Sequence, residues 1–225
     1  GVELRTGEQL SCDELVLAVP HGRVLDLLPD DVAALPELQR ISRIESAPIT
    51  SLHLWFDRPL TVLPHAVLLG RLAQWVFRHP PPLSPTASTP QSSIPNPYQV
   101  VISASSALRG RSREAIRDEV LTELRSVWPA SQAAQLLRWK LVTERTAVFS
   151  VTPGIESLRP QQQSPVPNLQ LAGDWTDTGW PATMEGALRS GYRAAENLLR
   201  RRGIEAPLLQ PDLPTAMLSR VLFGL

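Results

Sequence analysis

The chain has 225 residues, 43% of them hydrophobic, and its 22 Lys and Arg residues balance its 22 Asp and Glu residues. This apolar content excludes a disordered chain, and basic residues that are scattered along the sequence exclude nucleic acid as the expected partner. Cys12 is the only cysteine, which excludes an internal disulfide and a thiolate metal cluster. Because no apolar run approaches the ~20 residues of a membrane span, we expect a cytoplasmic protein.

The first 42 residues predict short strands and helices. Residues 2–11 predict a hairpin, and residues 15–19 form an apolar run typical of a buried parallel strand, which ends at Pro20. One helix is predicted over residues 22–28. A second helix, with Asp30 and Asp31 at its start, is predicted to run to about Gln39.

Residues 43–150 predict a mixed sheet covered by a helix. Hydrophobicity alternates in residues 44–56, so that residues 52, 54 and 56 share one face and residues 51, 53 and 55 the other. Ser112 is the predicted N-cap of a helix that Pro129 stops. The seven prolines of residues 79–97 predict a loop. Further strands are predicted over residues 66–69, 74–77, 98–104 and 138–149, and the last of these is expected to join the sheet that begins at Ile44.

The last third predicts a strand over residues 169–172, then Gly173-Asp174, a polar turn, and a long helix from about Thr183 to Arg202 with Gly203 as its C′ residue. The glycine lets a ligand approach the backbone, and the carboxylate accepts hydrogen bonds from hydroxyl groups. The first amides of the helix direct partial positive charge towards whatever lies in front of them. Small residues between Gly186 and Ala195 predict close packing of the helix. A tightly packed helix after a turn explains the same pattern without a ligand.

Residues 171–191 are similar to the C-terminal signature of the flavin amine oxidase and phytoene desaturase superfamily. The Met-Glu-Gly-Ala-x-x-Ser-Gly core at residues 184–191 is shared across that superfamily. Asp-Trp-Thr-Asp-Thr-Gly at residues 174–179, followed by Pro-Ala-Thr at 181–183, resembles the narrower branch of squalene-associated FAD-dependent desaturases, also called hydroxysqualene dehydroxylases. The resemblance covers roughly residues 2–201.

The resemblance implies an α/β fold that is the C-terminal part of a two-domain FAD-dependent oxidoreductase. In this interpretation, residues 1–42 and 151–203 are pieces of the flavin domain and flank a mixed-sheet substrate domain at residues 43–150. Residues 204–225 form a tail. The implied reaction is a redox step on a squalene-type isoprenoid, either dehydroxylation of hydroxysqualene or a desaturation. No catalytic residue can be named.

FAD is the cofactor that the resemblance implies. The residue matching Asp174 contacts the pyrophosphate and ribityl region in such enzymes, and the residues matching Thr183 and Met184 place backbone amides near the isoalloxazine ring. The cofactor-binding residues implied for this chain are Gly173, Asp174, Ala182, Thr183 and Met184.

The sequence departs from the family at its start. Family members open with a Gly-x-Gly-x-x-Gly turn that places the FAD pyrophosphate on a helix N-terminus, whereas no Gly-x-Gly occurs in the 225 residues. We therefore expect the C-terminal portion of a longer enzyme, which by itself binds FAD weakly or not at all. The alternatives are a carotenoid desaturase, a flavin amine oxidase, or a non-catalytic remnant or interaction module.

Three further features allow more than one interpretation. The four histidines are dispersed without metal-ligand spacing, which argues against a metal site. His53 and Trp55 either line a substrate cavity or form the polar face that any alternating strand has. The tail is either a loosely docked terminus or an amphipathic segment that contacts a lipid surface at the inner face of the membrane.

Overall fold

The computed structural model describes residues 1–79, 96–214 and 216–224, and the chain divides into two compact units. One unit combines both ends of the chain, Gly1–Ile44 and Val151–Leu225, and the other consists of the middle segment, Glu45–Ser150. The loop predicted over residues 79–97 lies, except for its first and last two residues, outside the described residues. The predicted α/β class is confirmed, because helices and strands occur in both units.

The first 44 residues contain short elements. Strand β1 (Val2–Glu3) pairs with β2 (Gln9–Leu10) in the expected hairpin, and β3 (Leu15–Leu17) follows. The strand predicted over residues 15–19 is thus shorter, and it is less buried than expected, with Val16 39% exposed. Three helical turns follow, α1 (His21–Val24), α2 (Asp30–Ala33) and α3 (Pro36–Gln39), with 3-10 turns at Leu25–Leu27 and Arg40–Arg43.

The single helix predicted from Asp30 to Gln39 is wrong, because α2 and α3 are separate. Pro36 occupies the start of α3, and Leu35 before it is extended, with φ −61° and ψ 131°. A proline disfavours the helical conformation in the residue that precedes it and cannot supply the N–H of a continuing helix. The break therefore follows from Pro36.

The middle unit is a five-stranded sheet covered by a helix. Its elements are β4 (Ser46–Phe56), β5 (His65–Val67), β6 (Trp75–Arg78), β7 (Pro97–Ile102), α4 (Arg113–Val127) and β8 (Leu136–Phe149), with 3-10 turns at Ser105–Leu108 and Pro129–Ala133. The strand order is β5-β6-β7-β4-β8, and β8 joins the sheet beside β4 as predicted. Every neighbouring pair is antiparallel, whereas a mixed sheet is predicted from the sequence.

The core of this unit lies between the sheet and α4. Leu52, Leu54 and Phe56 are buried, whereas residues 51, 53 and 55 on the opposite face are half-buried, which confirms the predicted alternation. Helix α4 covers the buried face with residues Ile116, Val120, Leu121 and Leu124. Ser112 caps α4 as predicted, because its Oγ accepts a hydrogen bond of 3.1 Å from the Ala115 N–H.

The last 75 residues complete the unit that the first 44 begin. A 3-10 turn at Ile155–Ser157 is followed by β9 (Leu169–Leu171), α5 (Met184–Arg201) and a short α6 (Met217–Phe223). Strand β9 pairs with β3 in parallel, with Leu169 opposite Leu15. Gly203 has φ +73° and ends α5 as predicted, since the Ile204 N–H donates to the Leu199 oxygen over 3.0 Å. Among the described helices, none combines the length and the apolar character needed to cross a bilayer.

Candidate flavin site

The chain leaves the two parallel strands β3 and β9 at the same edge, because parallel strands have their carboxyl ends together. The segments that follow them are in contact: the Trp175 indole N–H donates to the Val19 oxygen over 2.9 Å. Trp175 is 1% exposed. The Gly173-Asp174 turn therefore lies beside the residues that lead into α1.

Gly173 is required by packing within the chain. Its φ is +153°, and a Cβ at this position would lie 2.2 Å from Nε1 of Trp175. Its N–H donates to the Ser190 hydroxyl over 2.7 Å, and its oxygen accepts hydrogen bonds from the N–H and the hydroxyl of Thr176. The close approach inferred from this glycine is thus made by Trp175, and both backbone polar groups of Gly173 have partners in the chain.

Asp174 has an unusual electrostatic environment. Its carboxyl is half-buried, and burial raises its pKa above the ordinary value, although the nearby His21 opposes this. His21, the first residue of α1, has a pKa lowered by burial, which Asp174 in turn opposes. The structure thus brings together a carboxyl and an imidazole that lie 153 positions apart in the sequence. Groups with displaced pKa values are common at functional sites.

Sequence reasoning missed His21. A metal or catalytic histidine is recognised in a sequence by its spacing from other ligands or carboxylates, and no carboxylate lies near His21 along the chain. A usable signal was nevertheless present, because His21 and Asp174 each follow an apolar strand, and parallel pairing of those strands brings the two residues to one edge of the sheet.

Arg159 holds the turn from Asp174 to Trp180 in place. Its side chain is 1% exposed, and its guanidinium donates to the oxygens of Asp174, Thr176 and Trp180 over 3.2, 2.6 and 2.8 Å. Glu156 pairs with it over 2.9 Å. These hydrogen bonds fix the backbone of the turn. If the turn moved, the buried guanidinium and the backbone carbonyls would lose hydrogen bonds that water could not replace.

The start of α5 offers unused donors. Thr183 caps the helix, because its hydroxyl accepts a hydrogen bond of 3.1 Å from the Gly186 N–H. The N–H groups of Met184 and Glu185, in contrast, donate to no acceptor in the described part of the chain. Ala182 is half-buried and the Met184 side chain is 91% exposed. Two helix N–H groups thus remain available to an electron-rich ligand.

The small residues of α5 do not all serve close packing. At Gly186 the expectation is confirmed, because a Cβ would lie 2.8 Å from the Pro181 oxygen. At Gly191 it is wrong, since no heavy atom of another part of the chain lies within 4 Å of the Cβ position. Ser190 instead contributes through its hydroxyl, which donates to the Ala187 oxygen over 2.7 Å while it accepts from Gly173.

Comparison with curated proteins identifies related enzymes. The chain is 35% identical over 187 residues to a hydroxysqualene dehydroxylase of Rhodopseudomonas palustris, and the alignment covers 83% of this chain and 38% of that protein. It is 29% identical over 206 residues to a 15-cis-phytoene desaturase of Synechococcus elongatus, which covers 90% of this chain and 43% of that protein. The chain therefore spans about two fifths of the length of these relatives.

Solved structures agree in fold. Cyclohexylamine oxidase from Brevibacterium oxydans superposes with a TM-score of 0.60 at 13% identity, over 87% of this chain and 45% of that chain. A putative protoporphyrinogen oxidase from Exiguobacterium superposes with a TM-score of 0.52 at 16% identity, over 85% of this chain and 41% of that chain. At these identities the likeness concerns the fold alone. Residues 1–199 match the family described as flavin containing amine oxidoreductase, and the chain belongs to that family.

Proposed function

We propose that this chain is part of an FAD-dependent oxidoreductase that acts on squalene-type isoprenoids, by dehydroxylation of hydroxysqualene or by a desaturation. The observation that carries the proposal is the 35% identity over 187 residues to a hydroxysqualene dehydroxylase. Because the chain spans 38% of that relative, the activity is proposed for the complete protein.

The division of labour between the two units follows from the same proposal. Residues 1–42 and 151–203 are pieces of the flavin domain, residues 43–150 are the substrate domain, and residues 204–225 are a tail. The compact units, with boundaries between residues 44 and 45 and between 150 and 151, support this division.

The chemistry of the first unit fits a flavin nucleotide. The Asp174 carboxylate would accept hydrogen bonds from the hydroxyl groups of a ribityl chain, and the N–H groups of Met184 and Glu185 would donate to the electron-rich edge of the ring. Thr183 caps the helix, Ala182 lies directly before it, and Gly173 leaves room for the Trp175 indole. We propose that Gly173, Asp174, Ala182, Thr183 and Met184 form or position the cofactor site, and we name no catalytic residue.

When bound, the flavin would supply the redox chemistry: reduced FAD would give the two electrons that replace a hydroxyl by hydrogen, with release of water, and oxidised FAD would accept the two electrons of a desaturation. The protein would supply aromatic rings along one face of the sheet in the middle unit. On the sheet face opposite α4, the rings of Trp75 and Phe77 stack with centroids 5.5 Å apart, and His53 stacks on Trp55 at 6.1 Å. Burial lowers the pKa of His53, and the nearby His79 and Lys140 act in the same direction, which favours the neutral imidazole. We propose this face as the wall for the isoprenoid chain.

A phytoene-type desaturase is the second candidate, favoured by the match to the Synechococcus elongatus enzyme over 90% of this chain. A flavin amine oxidase and a non-catalytic remnant or interaction module are the third and fourth candidates. Product analysis separates the first two. Squalene formed from hydroxysqualene by the complete protein under reducing conditions supports the dehydroxylase, and additional double bonds in phytoene support the desaturase.

Contact with a lipid surface is proposed for the tail, against the simpler interpretation of a loosely docked terminus. Met217 and Phe223 of α6 are 82% and 73% exposed, which suits an interfacial segment. Earlier parts of the tail are held by the protein, since Glu196 accepts hydrogen bonds from the N–H groups of Leu208 and Leu209 over 2.7 and 2.8 Å. Liposome co-sedimentation that is unchanged after deletion of residues 204–225 would refute the membrane contact.

The cofactor assignment is tested with the substitution Met184→Pro. Met184 is the first residue of α5, where proline is well tolerated, and Thr183 before it is extended, with φ −141° and ψ 163°, as proline requires. The substitution removes one N–H donor and leaves the helix. We expect the flavin affinity of the complete protein to fall about tenfold, measured by quenching of flavin fluorescence.

The matched control is Met184→Ala, which keeps the N–H group and removes the same side chain. It should bind flavin as the wild type does. Equal flavin affinity of the two variants would contradict the assignment of this amide.

A separate observation tests the non-catalytic alternative. An in-frame upstream DNA sequence that encodes no Gly-x-Gly-x-x-Gly turn before Gly1 would favour the non-catalytic remnant.

A further inference from the structure

A polar cavity of about 620 Å³ lies wholly within the middle unit, Glu45–Ser150. Four arginines line it: Arg109, Arg111, Arg113 and Arg145. Hydroxyl residues of β4, β8 and the turn after β7 form the rest of its polar wall, and no carboxylate is among the described lining residues. The cavity thus has a strongly basic wall, and its volume is in the range of small-molecule sites.

The four arginines differ in how they are held. Arg111 pairs with Glu119, and Arg113 donates to the Leu141 oxygen. The guanidinium groups of Arg109 and Arg145 make no hydrogen bond or ion pair with the part of the chain that is described, and both residues are exposed. Two guanidinium groups with all their donors unused therefore border the cavity.

The hydroxyl groups supply a further donor. Thr50 is 1% exposed and Ser105 is 6% exposed, and the Thr50 hydroxyl lies 2.8 Å from that of Ser105 and 2.9 Å from that of Thr143. Three hydroxyl groups carry three protons, of which the two hydrogen bonds among them use two. The third proton has no acceptor among the described residues and is available to a ligand in the cavity.

The backbone at the cavity is strained. Ala104, which precedes Ser105, has φ 48° and ψ 44°, a left-handed conformation that residues with a Cβ rarely adopt. The Ser103 N–H donates to the Gln74 side chain over 2.8 Å and helps to hold the turn. Such strain persists where the surrounding structure fixes it, and it occurs most often at functional sites.

We infer that this cavity binds the phosphate group of an organic phosphate or diphosphate. Guanidinium groups bind phosphate oxygens in pairs of hydrogen bonds, and the spare hydroxyl proton completes a set of donors without an opposing carboxylate. Leu108, Ile116 and Leu141 form the apolar floor beside these donors, which suits the organic part of the ligand. All of the described lining residues lie within residues 45–150.

Inorganic pyrophosphate is the probe that tests the inference on the 225-residue chain. We expect saturable binding by titration calorimetry at low ionic strength, weakened about tenfold or more in the double variant Arg109→Gln/Arg145→Gln. The charge-matched control is Arg71→Gln/Arg125→Gln, which alters two exposed arginines of the same unit outside the cavity and should bind within about twofold of wild type. Thr143→Val tests the hydroxyl donor and should weaken binding less.

Vesicles distinguish the source of the phosphate group. The site takes a lipid headgroup if three results agree: the chain binds phosphatidylcholine vesicles that contain phosphatidic acid, the Arg109→Gln/Arg145→Gln variant does not, and pyrophosphate competes with the vesicles. Pyrophosphate binding without vesicle binding indicates a soluble phosphate ester. No saturable pyrophosphate binding by the wild type, or equal loss in the two double variants, would overturn the inference.

Discussion

Arg159 in one unit and Arg109 in the other are the same residue type in opposite surroundings. The Arg159 side chain is 1% exposed and donates to the backbone of one turn and to a carboxylate. Arg109 is exposed and its guanidinium has no partner in the described part of the chain. A buried guanidinium whose donors are used is part of the framework of a site, whereas an exposed one with unused donors is available to a ligand.

The largest expected effect separates these two roles by stability. Arg159→Met removes the donor to the oxygens of Asp174, Thr176 and Trp180, and we expect a loss of about 3–5 kcal/mol in the free energy of unfolding. Arg109→Met removes an exposed side chain and should change the free energy of unfolding by less than about 0.5 kcal/mol. Urea unfolding followed by circular dichroism measures both. Equal losses of unfolding free energy would contradict the difference between a framework arginine and an exposed one.

A smaller effect compares one glycine from each region. Gly173→Ala places a Cβ 2.2 Å from a ring atom of buried Trp175, and we expect it to cost about 2–3 kcal/mol. Gly110, which lines the polar cavity of the middle unit, has φ +81° and nothing within 4 Å of its Cβ position. Gly110→Ala should therefore cost only the backbone strain, about 1 kcal/mol. A larger loss at Gly110 than at Gly173 would contradict the difference in packing.

The smallest effect compares the pH dependence of a carboxyl in each unit. Burial raises the pKa of Asp174, so the folded state holds its proton more tightly and stability falls as the pH rises from the ordinary carboxyl pKa through the raised one. Asp174→Asn should therefore be more stable than wild type at pH 7, and this gain should vanish in acid. Thermal unfolding at a series of pH values measures the difference.

Asp57→Asn is the opposing control. Hydrogen bonds from Arg58 and from the Gln135 N–H lower the pKa of Asp57, so its contribution to stability is present above the ordinary carboxyl pKa and is lost as the pH falls through the lowered one. This variant should be less stable than wild type at pH 7. The same direction of change for both variants would show that burial does not dominate at Asp174.

The sequence predicted the elements whose signals are local. Alternation placed Leu52, Leu54 and Phe56 on one face of β4, and Ser112 and Pro129 marked the ends of α4. Prediction failed where a single residue changes the backbone, as Pro36 does by separating α2 from α3. It also failed in the choice of a mixed sheet, because strand direction depends on pairing between distant segments.

In the candidate flavin site, one continuous motif predicted Gly173, Asp174, Ala182, Thr183 and Met184, and their contact with FAD stays a prediction. Arg159 and His21 were missed, since each reaches the site from another part of the chain. No spacing rule connects Arg159 to the carbonyls that it binds, because backbone oxygens are the same in every residue. The arginines of the phosphate cavity were also missed, because β8 brings Arg145 to a cavity that Arg109 borders from the turn after β7.

By itself, the sequence determined the family, the strand–turn–helix at Gly173 and the ends of the long helices, because motifs, caps and periodicity are properties of neighbouring residues. Only the tertiary structure decided that Trp175 fills the space above Gly173, that His21 faces the charge of Asp174, and which arginines keep their donors unused. Those facts depend on burial and on contacts between residues far apart in the chain. Neither can be predicted from neighbouring residues alone.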